Sequence, residues 1–276
     1  SEMPGNPMFC RETPVLDADT CIQCQACVKE CVSSVFKVAE DGAVSIPEDH
    51  DCITCGHCAA VCPTGAISMY GKVPAKLPED RTVAPEAMRR HIMSRRSIRS
   101  YKPTPVPKEL LGEILAATSN CPCACNLHPL AYTVITNPAL IRDIEDKCVA
   151  KISEVGMPMF KNWMSHHTEE ERVIFRGAPA VVICHIDERG LPPGKHIDST
   201  DTAIALTTAE LLATSHGLGA LWIGLAMGVM GKNPEMRRQA GVPDGRKVTG
   251  IMTFGYPAPR FVRETPKEAQ PITWME

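Results

Sequence analysis

The chain has 276 residues, enough for one large domain with a small one, or for two medium domains. Hydrophobic residues make up 44% and charged residues 22%, which excludes a globally disordered chain. A formal net charge of −3 gives no electrostatic case for nucleic acid as the main partner.

Ser1 to Phe9 shows no basic region followed by an apolar run, so no signal peptide is read and a cytoplasmic location is expected. Fourteen cysteines then dominate the reading. Eight lie between Cys21 and Cys62, in two runs of identical spacing: Cys21, Cys24, Cys27, Cys31 and Cys52, Cys55, Cys58, Cys62, the second followed by Pro63. Disulfide frameworks rarely repeat such tight spacing, so metal ligation in a reducing compartment is the better reading. Zinc sites of four cysteines use two Cys-x-x-Cys pairs, not three cysteines plus an outlier. The spacing is that of two-[4Fe–4S] bacterial ferredoxins, which the segment resembles over about sixty residues. The resemblance implies Cys21, Cys24, Cys27 and Cys62 on one cluster, and Cys52, Cys55, Cys58 and Cys31 on the other. One departure is Val32 after Cys31, where that family has proline.

Between the runs, residues 34–39 and 43–47 predict two short strands around the turn Glu40-Asp41-Gly42. Residues 71–85, rich in Pro and charge, predict a linker. The first domain is therefore expected at 1–75 and the second at 76–276.

In the second domain, residues 85–95 predict a helix opened by proline, and 108–118 a helix with Leu111, Ile114, Leu115 and Thr118 on one face. Strands are expected at 130–136, 178–186, 221–223 and 248–256, and helices at 138–155 and 200–216. The His166-His167-Thr168-Glu169-Glu170-Glu171 run reads as a solvated helix start rather than a metal site. His196, Asp198 and Ser199 do not argue a hydrolytic triad. Cys10, Cys148 and Cys184 read as structural or free thiols. Residues 211–231 hold no Asp, Glu, Lys or Arg, but they include Thr214, Ser215, His216 and five glycines, so they read as core rather than as a membrane span. The elements alternate without a strict βαβ rhythm, which predicts an α+β fold: a small ferredoxin-like domain followed by an α+β domain with a central mixed sheet.

Three arginines and three serines lie within Ser94–Tyr101, where guanidinium forks suit phosphate oxygens. Pro122–Pro129 precedes a strand, residues 198–213 lead into Gly217-Leu218-Gly219-Ala220-Leu221-Trp222-Ile223-Gly224, and Phe254-Gly255-Tyr256-Pro257 is followed by Arg260 and Arg263. In this order the chain resembles the nitroreductase family of FMN enzymes over residues 85–276. The resemblance implies Arg95 and Ser97 on the FMN phosphate or ribityl chain, Arg96 through its backbone, and Arg99 near the ring or phosphate. It also implies Asn126 on the flavin ring, Arg260 and Arg263 toward the phosphate, Gly224 beside the flavin, and a homodimer with flavin at its interface.

Cys121, Cys123 and Cys125 stand where that family has small residues. They read as small packing residues, with a working thiol, substrate-binding or metal role as the sharper alternative. The combined reading is an iron–sulfur flavoprotein oxidoreductase with two [4Fe–4S] clusters and one FMN. Its donor is a ferredoxin or similar protein, and its acceptor is nitroaromatic, quinone or enone. Two alternatives stay open: substrate oxidation with electrons exported through the clusters, or a non-catalytic electron-transfer or redox-sensing protein. No Gly-x-Gly-x-x-Gly fingerprint supports NAD(P)H use.

Overall fold

The computed structural model describes residues 12–156, 158–187 and 197–276; Cys10 and His196 lie outside the described residues. The chain forms two compact units. Residues 12–82 with Pro122–Pro129 make one, and Val83–Cys121, Leu130–Asp187 and Asp198–Glu276 the other.

The first unit is a duplicated loop-and-helix. In chain order it holds β1 (Val15–Leu16), α1 (Ala26–Glu30), β2 (Lys37–Val38), β3 (Val44–Ser45), α2 (His57–Val61) and β4 (Ile67–Ser68). β1 pairs antiparallel with β4 and β2 with β3. The predicted hairpin is present but shorter than expected: Gly42 takes φ 87° at its turn, and Asp41 Oδ1 accepts the Ala43 N–H at 3.0 Å. Val35, Phe36, Ala59, Ile67 and Met69 form its small core together with Cys27 and Cys52. The repeat is exact in backbone sense. Gln23 and Thr54 are left-handed (φ 56° each), as are Gln25 and Gly56 (59°, 73°) and Ser34 and Gly65 (51°, 72°), each pair offset by 31 residues. Two of the three second-copy positions are glycine, which takes this conformation without a Cβ penalty.

The second unit continues with α3 (Pro85–Ser94), α4 (Lys108–Ala117), β5 (Leu130–Ile135), α5 (Pro138–Val155), α6 (Pro158–Ser165), β6 (Ala180–Asp187), α7 (Ile197–Ser215), β7 (Gly219–Trp222), α8 (Gly224–Lys232), α9 (Pro234–Gln239) and β8 (Arg246–Gly255). The sheet runs β5-β6-β8-β7. Helices cover both of its faces, so β6 and β8 are buried throughout most of their length. Strand periodicity then sorts the side chains. Val181, Ile183 and Ile251 enter one core with Ile144 and Cys148 of α5 and Met230 of α8. Val182, Cys184, Met252 and Phe254 enter the other with Ile114 of α4 and Leu206 of α7. Each such buried aliphatic contributes about 1.5–3 kcal/mol. Asn137 caps α5 through Oδ1, accepting from Ala139 N and Leu140 N at 2.9 and 3.2 Å, and Gly156 ends it at φ 68°.

The α+β expectation holds in both units. The four strands pair antiparallel, however, and among the described residues the one parallel pairing is the isolated bridge between Ser97 and Ala220. The His166–Glu171 run is not a helix start. It is a turn after α6 in which Thr168 Oγ1 accepts the Glu170 and Glu171 N–H groups at 3.2 and 2.9 Å. Residues 211–231 divide among α7, β7 and α8, and among the described residues no helix is long and apolar enough to cross a membrane.

Candidate functional site

The eight cysteines of the first unit sit on the two copies of one loop. Each first cysteine accepts an amide from two residues on: Gln23 N to Cys21 Sγ at 3.4 Å, and Thr54 N to Cys52 Sγ at 3.3 Å. Each last cysteine accepts one from four residues on, Val35 N to Cys31 Sγ at 3.4 Å and Ala66 N to Cys62 Sγ at 3.2 Å. The left-handed residues turn these amides onto sulfur, the arrangement that stabilises thiolate ligands and tunes a cluster's potential.

Cys31, Cys52, Cys55 and Cys58 line one cavity, so the last cysteine of the first run joins three from the second. Burial pushes the Cys58 thiol up to about 11, with the Cys52, Cys55 and Cys31 thiols adding to the effect. Burial likewise raises Cys27, to which Cys21 and Cys24 add. At Cys62 burial is outweighed by hydrogen bonds from Thr64, Ala66 and Gly65, which hold the thiol below its ordinary value. Free thiolates are disfavoured in the two buried positions, and iron would supply the compensating charge. Among the described residues no three His, Cys, Asp or Glu side chains are grouped for a single metal ion. A cubane asks instead for one thiolate on each of four irons around a larger core.

In the second unit, the arginine segment leaves the end of α3 and is stitched to the sheet. Ile98 N donates to Ala220 O at 2.9 Å, Lys102 N to Tyr256 O at 2.8 Å, and Ala258 N to Ser100 O at 3.0 Å. Tyr101 OH and Thr253 Oγ1 lie 2.8 Å apart. Burial raises the Tyr101 pKa, so the phenol stays neutral. Gly219 and Gly255 permit this approach: a Cβ on Gly219 would overlap Ile98 Cγ1, and one on Gly255 would lie 2.7 Å from Tyr101 Cδ1. The segment thereby presents Arg95, Arg96, Ser97 and Arg99 to a cavity of about 1000 Å³ that Glu264 and Lys267 also line.

The cations are not equivalent. Arg95 Nη1 is paired with Glu210 Oε1 at 2.9 Å. Arg96 donates to the carbonyls of Met93 (2.6 Å), Arg95 (2.8 Å) and Arg263 (3.2 Å), which fastens the C-terminal segment to α3, while its buried Nε has no hydrogen-bond partner. Arg99 is exposed. A serine and an exposed arginine in one cavity fit an anionic phosphate.

The other predicted residues are placed elsewhere. Arg263 takes part through its carbonyl, and Arg260 is exposed. Gly224 lines a separate cavity of about 500 Å³ with Gly228, Lys151 and Lys232. Asn126 belongs to the first unit, where Nδ2 donates to Ile53 O at 3.2 Å and Thr54 O at 2.9 Å, and Oδ1 meets His128 Nε2 at 2.8 Å. Its amide is thus bonded to the cluster loop. Cys125, Asn126 and His128 are all left-handed (φ 48°, 54°, 45°), a strain of order 1–3 kcal/mol for each. Cys121 Sγ donates to Thr208 Oγ1 at 3.2 Å, Cys123 Sγ accepts the His128 N–H at 3.3 Å, and Cys125 is exposed. Their different surroundings separate the three thiols that the sequence groups. Sequence reasoning missed Glu210 as the partner of Arg95; its only signal was that no other acid lies between Thr202 and Ser215 of α7.

Two sequence profiles match the chain. That of the nitroreductase family matches residues 92–256. The chain belongs to the nitroreductase family. A 4Fe–4S dicluster domain profile matches residues 20–67, so this nitroreductase-family oxidoreductase carries a ferredoxin-type 4Fe–4S domain. It is 28% identical over 190 residues to an NADH dehydrogenase of Thermus thermophilus, covering 60% of this chain and 84% of that protein. It is 41% identical over 56 residues to a ferredoxin of Methanothermococcus thermolithotrophicus, covering 20% of this chain and 92% of the ferredoxin. Among solved structures, a nitroreductase with bound FMN from Bacteroides fragilis superposes with a TM-score of 0.60 at 25% identity, covering 70% of this chain and all (100%) of that one.

Proposed function

We propose that the protein is an FMN-dependent oxidoreductase that passes electrons from a ferredoxin-type donor to an electron-poor organic acceptor. It holds two [4Fe–4S] clusters in a domain spanning residues 1–75 and FMN in a domain spanning 76–276. The observation that carries the reading is the joining, in one chain, of a duplicated eight-cysteine loop with sulfur-directed amides and an arginine-lined cavity on a nitroreductase-family sheet. Bound FMN would exchange electrons singly or as a pair, the property that links one-electron clusters to two-electron organic substrates.

The chain's own residues do the holding. Cys21, Cys24, Cys27 and Cys62 ligate one cluster, and Cys52, Cys55, Cys58 and Cys31 the other. Arg99 and Ser97 take the FMN phosphate, and Arg95 is held beside them by Glu210. Nitroaromatics, quinones and enones are the acceptor classes, and the working form is a homodimer. Anaerobic purification with iron, sulfide and flavin quantified tests the reading. About eight irons and one FMN per chain are expected, with turnover of a nitroaromatic or quinone. Zinc in place of iron, or FAD or no flavin, would defeat it.

A further inference from the structure

The two cluster loops share one backbone but not one environment. Gln23 and Thr54 occupy equivalent left-handed positions, and each donates its amide to the first cysteine of its run. Yet Gln23 is exposed, Ile22 beside it is 63% exposed and Cys21 is half-buried, whereas Thr54 and Cys52 are buried, at 6% and 8%. The second loop differs in what holds it. Asn126 Nδ2 donates to both Ile53 O and Thr54 O. Ile53 C=O and Thr54 N–H belong to the same peptide group, and that N–H points at Cys52 Sγ, 3.3 Å away. Asn126 therefore polarises the very peptide that donates to the sulfur, since hydrogen bonds in series strengthen one another. Its second bond fixes the peptide that leads into Cys55. Nothing in the sequence of either run encodes this difference, and the left-handed turn at Cys125, Asn126 and His128 is the conformation that delivers it.

We infer that Asn126 is a positioning residue for the cluster held by Cys52, Cys55, Cys58 and Cys31, and that its clamp makes the two clusters inequivalent in solvent access and reduction potential. The inference rests on the reading of these thiols as cluster ligands. Hydrogen bonding to sulfur and solvent exposure both set cluster potentials, and among the described residues one of the two loops carries the clamp.

The test is Asn126→Asp in the full-length protein, purified anaerobically. Aspartate tolerates the left-handed backbone and keeps an acceptor toward His128, but it turns a carboxylate on the two carbonyls instead of two donors. In an EPR-monitored redox titration, one of the two cluster signals should move to more negative potential while the other stays. In Asn126→Ala, half of the iron should be lost to a chelator roughly tenfold faster than in the wild type, the effect of losing two hydrogen bonds, with the other half unchanged. Two unmoved signals, two signals moving together, or loss of flavin with unaltered iron release would overturn the inference. Wild-type protein without iron would instead remove the cluster reading, and this inference with it.

Discussion

Arg95 and Glu210 form an ion pair at 2.9 Å, joining the end of α3 to the buried helix α7. The Glu210 side chain is only 12% exposed, so an arginine that lines the predicted phosphate cavity also neutralises a nearly buried carboxylate. Arg95→Ala should therefore act on stability, by about 1–3 kcal/mol, because it leaves that carboxylate unpaired. Arg99→Ala should leave stability unchanged and lower the flavin retained after gel filtration, since exposed Arg99 lines the same cavity. Chemical denaturation and flavin-to-protein ratios on both variants separate the two roles. Equal loss of flavin without loss of stability in Arg95→Ala would show that the ion pair is not what holds Arg95.

Cys31 lines one cavity with Cys52, Cys55 and Cys58. Replacing Cys31 by Ser should therefore damage the cluster of the second run, although Cys31 belongs by sequence to the first. About four of about eight irons should remain, on Cys21, Cys24, Cys27 and Cys62. Iron analysis after anaerobic purification reads this directly. The converse replacement, Cys62→Ser, should spare the cluster of the second run.

Local chemistry was legible in the sequence; partners far along the chain were not. The cysteine spacing and the repeat were readable because each run sets three cysteines within seven residues. Helix α5 starts and ends where expected because Asn137, Pro138 and Gly156 are local cap signals. The arginine segment was recognised, but the unequal duties of Arg95 and Arg96 depend on Glu210 and Arg263, 115 and 167 residues away. The bonds of Asn126 to the cluster loop, 72 and 73 residues back, leave no local signal either. Likewise the burial of Glu145, mid-helix and acidic, has no local signal. Glu145 is buried because Arg172 Nε and the amides of Ile174 and Phe175 meet its carboxylate at 2.7–3.0 Å. Helices α6, α8 and α9 were missed since short segments rich in Gly, Met and Pro carry little periodicity, and tertiary packing decides them.

Gly255 closes β8 where the arginine segment crosses it. A Cβ there would stand 2.6 Å from Pro179 Cδ and 2.7 Å from Tyr101 Cδ1, both ring atoms with little freedom to yield. Gly255→Ala should cost about 1–3 kcal/mol through overpacking. It should also loosen the Tyr101–Thr253 contact that anchors the segment and so reduce flavin retention. Gly112→Ala, where nothing lies within 4 Å of the added Cβ in α4, is the control and should be neutral or slightly stabilising. Comparable thermal midpoints for the two variants would remove the close-approach argument.

His185 on β6 is buried at 3% exposure, with Nε2 3.0 Å from Thr133 Oγ1 and Nδ1 3.4 Å from Arg246 Nη1. Burial first, and the Arg246 charge second, push its pKa down to about 4 from an ordinary 6.5. The imidazole is therefore neutral in the folded chain, able to accept from Arg246 at Nδ1 and to donate to Thr133 from Nε2. As pH falls through 6.5 the unfolded chain takes up this proton first, and the folded chain follows only near 4. The folded state then binds fewer protons than the unfolded one across that window, so stability falls as pH falls and levels off below it. The loss should be on the order of 3 kcal/mol between about pH 6.5 and about pH 4. His185→Gln cannot charge and should show a shallower decline over the same range, even if it is less stable at pH 7.5. Denaturant unfolding of both proteins at a series of pH values measures the difference, in which the common titration of all other groups cancels. Parallel curves for the two proteins would mean that His185 charges equally in both states and that the pairing with Arg246 does not keep it neutral.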